Sequence, residues 1–305
     1  MRIAPATDIH WFHRPGLRHF ALKRVVGTAN LYLRGRRHEF DERVQQLLVD
    51  HLRAQKADLV VISGDLTAQS LPEEFEKARE VLSPLLAEVP SLVVPGNHDV
   101  YTPEAASEKF FHRWFGPWSG LGGPLARVDV DLDGGDGGEP ERVTALGLDP
   151  NRPTWFFASG RVPDDQLEGL AASLADPELA DRVVILAIHY PPIGRDGALY
   201  DDRSHGLENA DALIRVLEQA PKRPALILSG HVHHGFRADI TLSDGVRVPV
   251  IDCGTSGQRY QPWRGRAAST ATYTVTRDGL VSIDRFVHDG ERFVSEPGGA
   301  FATGR

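Results

Sequence analysis

The chain has 305 residues, 41% of them hydrophobic and 25% charged, which excludes a disordered or fibrous polymer and leaves room for a substantial core. A formal net charge of -8 gives no electrostatic footprint for non-specific nucleic-acid binding. Cys253 is the single cysteine, which excludes an intrachain disulfide; with no signal-peptide core and no membrane-length apolar run, the expected location is cytoplasmic.

An apolar run predicts a first strand over residues 3–7, which delivers Asp8 and His10. The connection over 11–38 interleaves Arg14, Arg18, Lys23, Arg24, Arg34, Arg36 and Arg37 with Trp11, Phe12, Phe20 and Tyr32. Three readings of it stay open. It is a solvated face, a lid whose arginines hold a phosphate-bearing substrate, or an amphipathic patch for an anionic membrane. Phe40, Val44, Leu47, Leu48 and Leu52 recur at helical spacing, so 39–55 reads as an amphipathic helix.

A strand over 59–62 leads into Gly64 and Asp65. Pro72 opens a second helix, with Glu73 and Glu74 in its first turn and an apolar stripe from Phe75 to Leu85. A strand over 92–94 precedes Gly96, Asn97, His98 and Asp99, and 104–115 reads as one helix. Strands near 126–132 and 142–148 flank a Gly-Asp turn at 133–138. A helix over 163–174 precedes the continuous apolar run 183–188, which suits a strand buried on both faces and ends at His189. A helix over 208–219 and a strand over 225–228 lead to Gly230, His231 and His233. Strands follow over 236–242, 246–251, 270–275 and 280–288. The reading is one domain over 1–290 with a flexible tail at 291–305, in which βα units build the first part and the late strands thicken a second sheet.

Metal-binding side chains thus recur in five clusters, each after a predicted strand. Ligands in α/β sheets bind at that edge, so the clusters point to one shared site. Side chains two apart in an extended segment point the same way, which lets Asp8 and His10, or His231 and His233, act together. Imidazole and carboxylate without thiolate suit Mn, Fe, Zn or Ni better than Ca or Mg. Two divalent ions within about 4 Å of one another need a negative bridge, and Asp65 is the candidate. Gly64, Gly96 and Gly230 would serve backbone geometry. His13, His19, His38, His51, His112 and His288 match no cluster and read as surface or core residues, while His205 and His234 stay ambiguous. The stretch 254–257 either rims the site or is a plain turn.

The five clusters in order, D-x-H, G-D, G-N-H-D, a lone H and G-H-x-H, resemble the calcineurin-like metallophosphoesterase superfamily from Asp8 to His233. The resemblance implies an α/β fold, a four-layer α/β/β/α sandwich of two mixed sheets flanked by helices, with a dinuclear metal site at strand C-terminal ends. It implies that Asp8, His10 and His233 bind one metal, that Asn97, His189 and His231 bind the other, and that Asp65 is shared. It also implies His98 as the acid beside the leaving-group oxygen, with Asp99 either orienting it or capping a turn. The implied reaction is phosphodiester hydrolysis by a metal-bridging hydroxide. The spelling is similar to the bacterial cyclic-nucleotide phosphodiesterase branch, which implies a small-molecule phosphoester substrate. Two alternatives stand beside it: a pyrophosphohydrolase on a nucleotide-linked lipid of the UDP-diacylglucosamine type, acting at a membrane surface, and a non-catalytic interaction scaffold.

Overall fold

The computed structural model describes residues 1–14, 39–120, 124–133, 140–154 and 157–302. Expectations for 15–38, including most of the basic-aromatic connection, therefore lie outside the described residues.

The first half alternates strand and helix. β1 (Arg2–Ala6), α1 (Glu42–Ala54), β2 (Leu59–Ile62), α2 (Pro72–Glu88) and β3 (Ser91–Val93) make two parallel crossovers. Their strands bury both faces, and the two-residue repeat sorts the side chains. Ala4, Ala6, Val60, Ile62 and Val93 meet the core under α1 and α2. Ile3, Leu59, Val61 and Leu92 face the opposite way into a second core. Each fully buried Leu or Ile contributes about 1.5–3 kcal/mol by leaving water.

The second sheet repeats the scheme with β4 (Ala126–Leu132), β5 (Glu141–Leu148), α5 (Asp164–Leu174), β6 (Val183–Ile188), α6 (Ala210–Gln219), β7 (Leu226–Ser229), β8 (Phe236–Thr241) and β9 (Arg247–Asp252). Val184, Leu186 and Ile188 pack under α5 and α6, while Val183, Ile185 and Ala187 enter the core shared with the first sheet. Three cores between four layers are the α/β/β/α sandwich. The orders are β12-β11-β10-β1-β2-β3 and β4-β5-β6-β7-β9-β8, where β10 is Ser269–Thr276, β11 is Gly279–His288 and β12 is Phe293–Ser295. Both sheets mix parallel and antiparallel neighbours. Among the described residues, no helix is long and apolar enough to cross a membrane.

Four expectations need correction. The late strands do not all thicken the second sheet: β8 and β9 do, but β10 pairs antiparallel with β1, with Ile3 opposite Tyr273. The physical reason is the edge of β1, which β2 covers on one side only and which would otherwise leave its backbone unpaired. The first helix begins at Glu42 and not at residue 39, because Asp41 caps it and Phe40 forms a bridge to Gln258. The helix expected over 104–115 is two, α3 (Pro103–Ser107) and α4 (Phe110–Phe115), broken at Lys109 with φ 49°. The break turns Phe110, Phe111 and Phe115 into the core beneath α2.

The tail expected from residue 291 is docked as far as 302. β12 pairs with β11, Arg285 and Glu296 form a fully buried ion pair at 2.7 Å, and the Arg285 guanidinium lies 5.2 Å from the Phe301 ring. Removing one partner strands the other charge in the interior. Glu296→Ala is expected to cost about 3–5 kcal/mol in urea unfolding. Glu88→Ala, which opens the exposed Arg53–Glu88 pair, is expected to cost less than about 1 kcal/mol. Equal losses would contradict the docking.

Candidate metal centre

Every expected ligand lies just beyond the carboxyl end of a parallel strand. Asp8 and His10 follow β1, Asp65 follows β2, Asn97 follows β3, His189 follows β6, and His231 and His233 follow β7. The backbone there is not extended. Asp8, His10, Asp65, His231 and His233 have φ of 52°, 55°, 55°, 75° and 60°, five of the nine left-handed non-glycine residues among those described. Side chains at such positions cost about 1–3 kcal/mol each and need a surrounding structure that enforces them. The expected strand alternation is thus replaced by left-handed turns as the device that aims Asp8 with His10 and His231 with His233.

The enforcement is visible. Asp8 and His10 donate backbone N–H groups to Gly64 and Asp65 carbonyls at 3.0 Å, so the β1–β2 pairing continues through the turns. A Cβ on Gly230 would overlap Thr7 Oγ1 and stand 2.6 Å from Asp8 Oδ2. One on Gly96 would overlap Asp65 Oδ1. These glycines serve the close approach of loops to the two carboxylates. The loop at 254–257 is buried behind β1, where the Ser256 N–H donates to the Thr7 carbonyl at 2.9 Å and Thr7 N–H donates to Ser256 Oγ at 3.1 Å.

The donors converge in two groups. Ligand atoms of Asp8, His10, Asp65 and His233 lie within 4.8 Å of one another. His233 Nε2 is 3.1 Å from Asp8 Oδ1 and 3.3 Å from His10 Nε2, which is 3.7 Å from Asp65 Oδ2. In the other group, Asn97 Oδ1 is 2.9 Å from His231 Nδ1 and 3.1 Å from His189 Nε2. His189 Nε2 is in turn 3.4 Å from Asp65 Oδ2. One oxygen, Asp65 Oδ2, therefore faces both groups, while Asp65 Oδ1 accepts the His98 N–H at 2.7 Å.

A cation fits these residues. His10 Nδ1 faces the Thr67 carbonyl at 3.1 Å, His189 Nδ1 the Ser63 carbonyl at 2.7 Å, and His231 Nε2 the His205 carbonyl at 2.6 Å. A carbonyl only accepts, so each of those nitrogens carries a proton, and in the neutral ring the other nitrogen turns its lone pair inward. The lone pairs then meet further acceptors: Asn97 Oδ1, Asp65 Oδ2 and Asp8 Oδ1. Asp8 Oδ1 is buried without a hydrogen-bond donor. Lone pairs converging on lone pairs in the interior demand positive charge among them.

The electrostatics agree. Burial pushes the Asp8 and Asp65 carboxyls up, but the imidazoles, His233 foremost at Asp8 and His189 at Asp65, outweigh it and hold both below the ordinary range. Burial pushes His189 down, and Asp65 more than offsets this, raising it to about 10. Burial, with His189 and His205 nearby, keeps His231 well below the usual imidazole value.

His98 is half-buried, with its ring 4.9 Å from that of His10 and stacked 5.4 Å from Tyr101. Its Nδ1 meets the Ala68 carbonyl at 2.6 Å. That carbonyl, and not Asp99, holds the ring. Both Asp99 oxygens are taken by other donors: Oδ1 by the Thr67 N–H at 2.9 Å and hydroxyl at 3.0 Å, Oδ2 by the Gly96 N–H at 3.0 Å and Leu66 N–H at 3.2 Å. Burial, followed by the Asp65 charge, raises Asp99 to about 7. Asp99 thus clamps the β2 and β3 loops from behind.

Three neighbours carried no signal in the sequence. Thr7 donates its hydroxyl to Asp8 Oδ2 at 2.8 Å, the Phe40 ring lies 4.4 Å from that of His10, and Tyr190 lies 4.3 Å from His231. His205 acts through its carbonyl and stacks 4.1 Å from His231, whereas His234 Nδ1 turns back to the Val232 carbonyl at 2.8 Å. Among the other described histidines, His51 and His288 pack against Phe293, away from the donors.

Asp65→Ala is expected to leave fewer than two equivalents of metal per chain by elemental analysis; two retained would contradict its shared position. Gly230→Ala, by driving Thr7 and Asp8 apart, is expected to lower metal affinity at least about 10-fold, as loss of a ligand's support does.

The profile of the family described as calcineurin-like phosphoesterase matches residues 1–235. A probable cyclic nucleotide phosphodiesterase of Rhodococcus erythropolis is 28% identical over 64% of this chain and 56% of its own length. The glycerophosphodiester phosphodiesterase GpdQ of Enterobacter lignolyticus is 29% identical over 59% and 57%, respectively. A cAMP/cGMP dual specificity phosphodiesterase of Mycobacterium tuberculosis is 30% identical over 69% and 58%. The chain thus spans a little over half the length of these curated relatives. In fold it is similar to a dimetal phosphatase from Danio rerio, with TM-score 0.56, 15% identity and coverage of 96% of this chain and 98% of that one.

Proposed function

This chain belongs to the calcineurin-like phosphoesterase family, and on that footing we propose that it is a metal-dependent hydrolase of small-molecule phosphodiesters, with cyclic nucleotides as the substrate class. The observation that carries the reading is that seven donor residues from both sheets fall into two groups, and Asp65 Oδ2 lies 3.7 Å from His10 Nε2 of one and 3.4 Å from His189 Nε2 of the other. Asp8, His10 and His233 would hold one divalent ion, Asn97, His189 and His231 a second, and Asp65 both. Oxygen and nitrogen donors without thiolate favour Mn, Fe, Zn or Ni. Such a pair of ions supplies a nucleophilic water at neutral pH and charge that offsets the phosphoryl oxygens in the transition state.

The chain's own side chains do the rest. Asn97 contributes a neutral amide oxygen, so the donor set adds less negative charge beside an anionic substrate than a carboxylate there would. His98 keeps Nδ1–H on the Ala68 carbonyl and, as imidazolium, holds a second proton at Nε2 for the departing oxygen. Asp99 acts as a positioning residue, fixing the loops that carry Asp65 and Asn97.

The relatives' names divide between cyclic-nucleotide and glycerophosphodiester phosphodiesterases, and a phosphodiester is common to both. The lipid-linked alternative rests on 11–38, mostly outside the described residues. A scaffold would need neither the full donor set nor His98, and both are retained.

The test is a metal-reconstituted panel of cyclic AMP, bis-nitrophenyl phosphate, nitrophenyl phosphate and a UDP-sugar lipid. Turnover of the two diesters, abolished by a chelator and restored by metal, is expected; inertness towards all four would end the reading. His98→Ala is expected to lower kcat about 100-fold or more on cyclic AMP, whose leaving group needs a proton. On bis-nitrophenyl phosphate, whose leaving group does not, the loss is expected to stay below about 10-fold. Equal losses would remove the role of His98.

A further inference from the structure

At the opposite end of the strands lies a second concavity. The edge where β6, β7 and β9 begin carries a cavity of about 390 Å³, closed on its other side by the β10–β11 turn of the first sheet. Its lining includes Lys222, Arg223, Arg237, Arg247 and Arg277. Against these five cations stand two lining acids, Asp239 and Asp278, in a chain whose net charge is -8.

Each of the five cations has a partner; Arg277 donates to the Pro140 carbonyl at 3.5 Å. Arg237 and Arg247 share Asp239, at 3.6 and 2.6 Å. Arg223 reaches the Glu218 carbonyl at 2.9 Å and Asp244 at 3.4 Å, yet its Nε is buried with no acceptor. The Lys222 ammonium donates to the Ala180 carbonyl at 2.9 Å, and the Asp181 carboxylate also acts on its charge. The rest of the wall is mostly apolar, with Val183, Val184, Pro249 and Leu280.

We propose that this cavity is a binding site for a phosphate-bearing small molecule of nucleotide size, separate from the metal centre. Guanidinium groups converging on one concavity recognise phosphate by paired, charge-assisted hydrogen bonds. An apolar wall and a volume in the range of small-ligand sites accommodate an attached organic group. Among the described residues, no His, Ser, Thr or Cys lines the cavity. Its position is set by β6 and β7, whose far ends carry His189 and His231, so the two sites lie a strand's length apart and cannot share one ligand molecule.

The test measures equilibrium binding of AMP and of adenosine to the metal-loaded full chain. Two classes of AMP site per chain and no adenosine binding are expected. Arg247→Gln combined with Arg277→Gln is expected to weaken one class about 10-fold or more, since hydrogen bonds to charged groups are lost, and to leave hydrolysis of bis-nitrophenyl phosphate unchanged. Asp65→Ala is expected to disturb only the other class, so failure of the metal centre and failure of this site are distinguishable. If the double variant does not fold, Arg237→Gln carries the same expectation. A single AMP class that survives the arginine substitutions, or adenosine binding as well as AMP, would overturn the proposal.

Discussion

Two carboxylates buried at the ends of adjacent strands, Asp8 and Asp65, set the terms for the rest of the molecule. Neither is more than 1% exposed, and an ionised carboxylate in the interior is tolerated only with compensating positive charge and hydrogen bonds. His10, His189 and His231 around them are anchored by backbone carbonyls through one nitrogen and aim the other at the same small volume. Without a cation, a proton must do the work, which is why His189 is held up to about 10 despite burial. A metal bound there would replace that proton and would support the five left-handed residues at once.

The same constraint ties the two sheets together. Asp8, His10, Asp65 and Asn97 come from the first sheet, and His189, His231 and His233 from the second. The Gly230 loop crosses to within contact of Thr7 and Asp8, and Ser63 Oγ donates to the Ser229 carbonyl at 3.1 Å, again from sheet to sheet. The shared apolar core brings the sheets face to face, and the polar edge fixes their alignment where chemistry needs it.

How far this was legible in the sequence varies with range. Short, doubly buried strands such as Val183–Ile188 announce themselves because every residue is apolar. The candidate ligand clusters are readable because each follows such a strand. What pairs with what was not: β10 joins β1 across most of the chain length, and no local pattern encodes a contact between Ile3 and Tyr273. The docked end escaped for a similar reason, since its Gly-rich composition hides Glu296, whose partner Arg285 lies in another strand. At the site, residue type gave the donors but not their direction. Asp99 is chemically as able as Asp65 to face a metal, yet a turn of backbone points it at Gly96, Leu66 and Thr67. Phe40 looked like part of a helix face and proved to be a wall beside His10. The cationic cavity draws on residues 183 to 280 and has no linear signature at all.

Anomalous diffraction from crystals of the manganese-loaded chain, recorded on either side of the Mn absorption edge, tests the central claim most directly. The account predicts two peaks, one bounded by Asp8, His10 and His233, the other by Asn97, His189 and His231, with Asp65 touching both. A single peak, or manganese held away from these seven side chains, would contradict it.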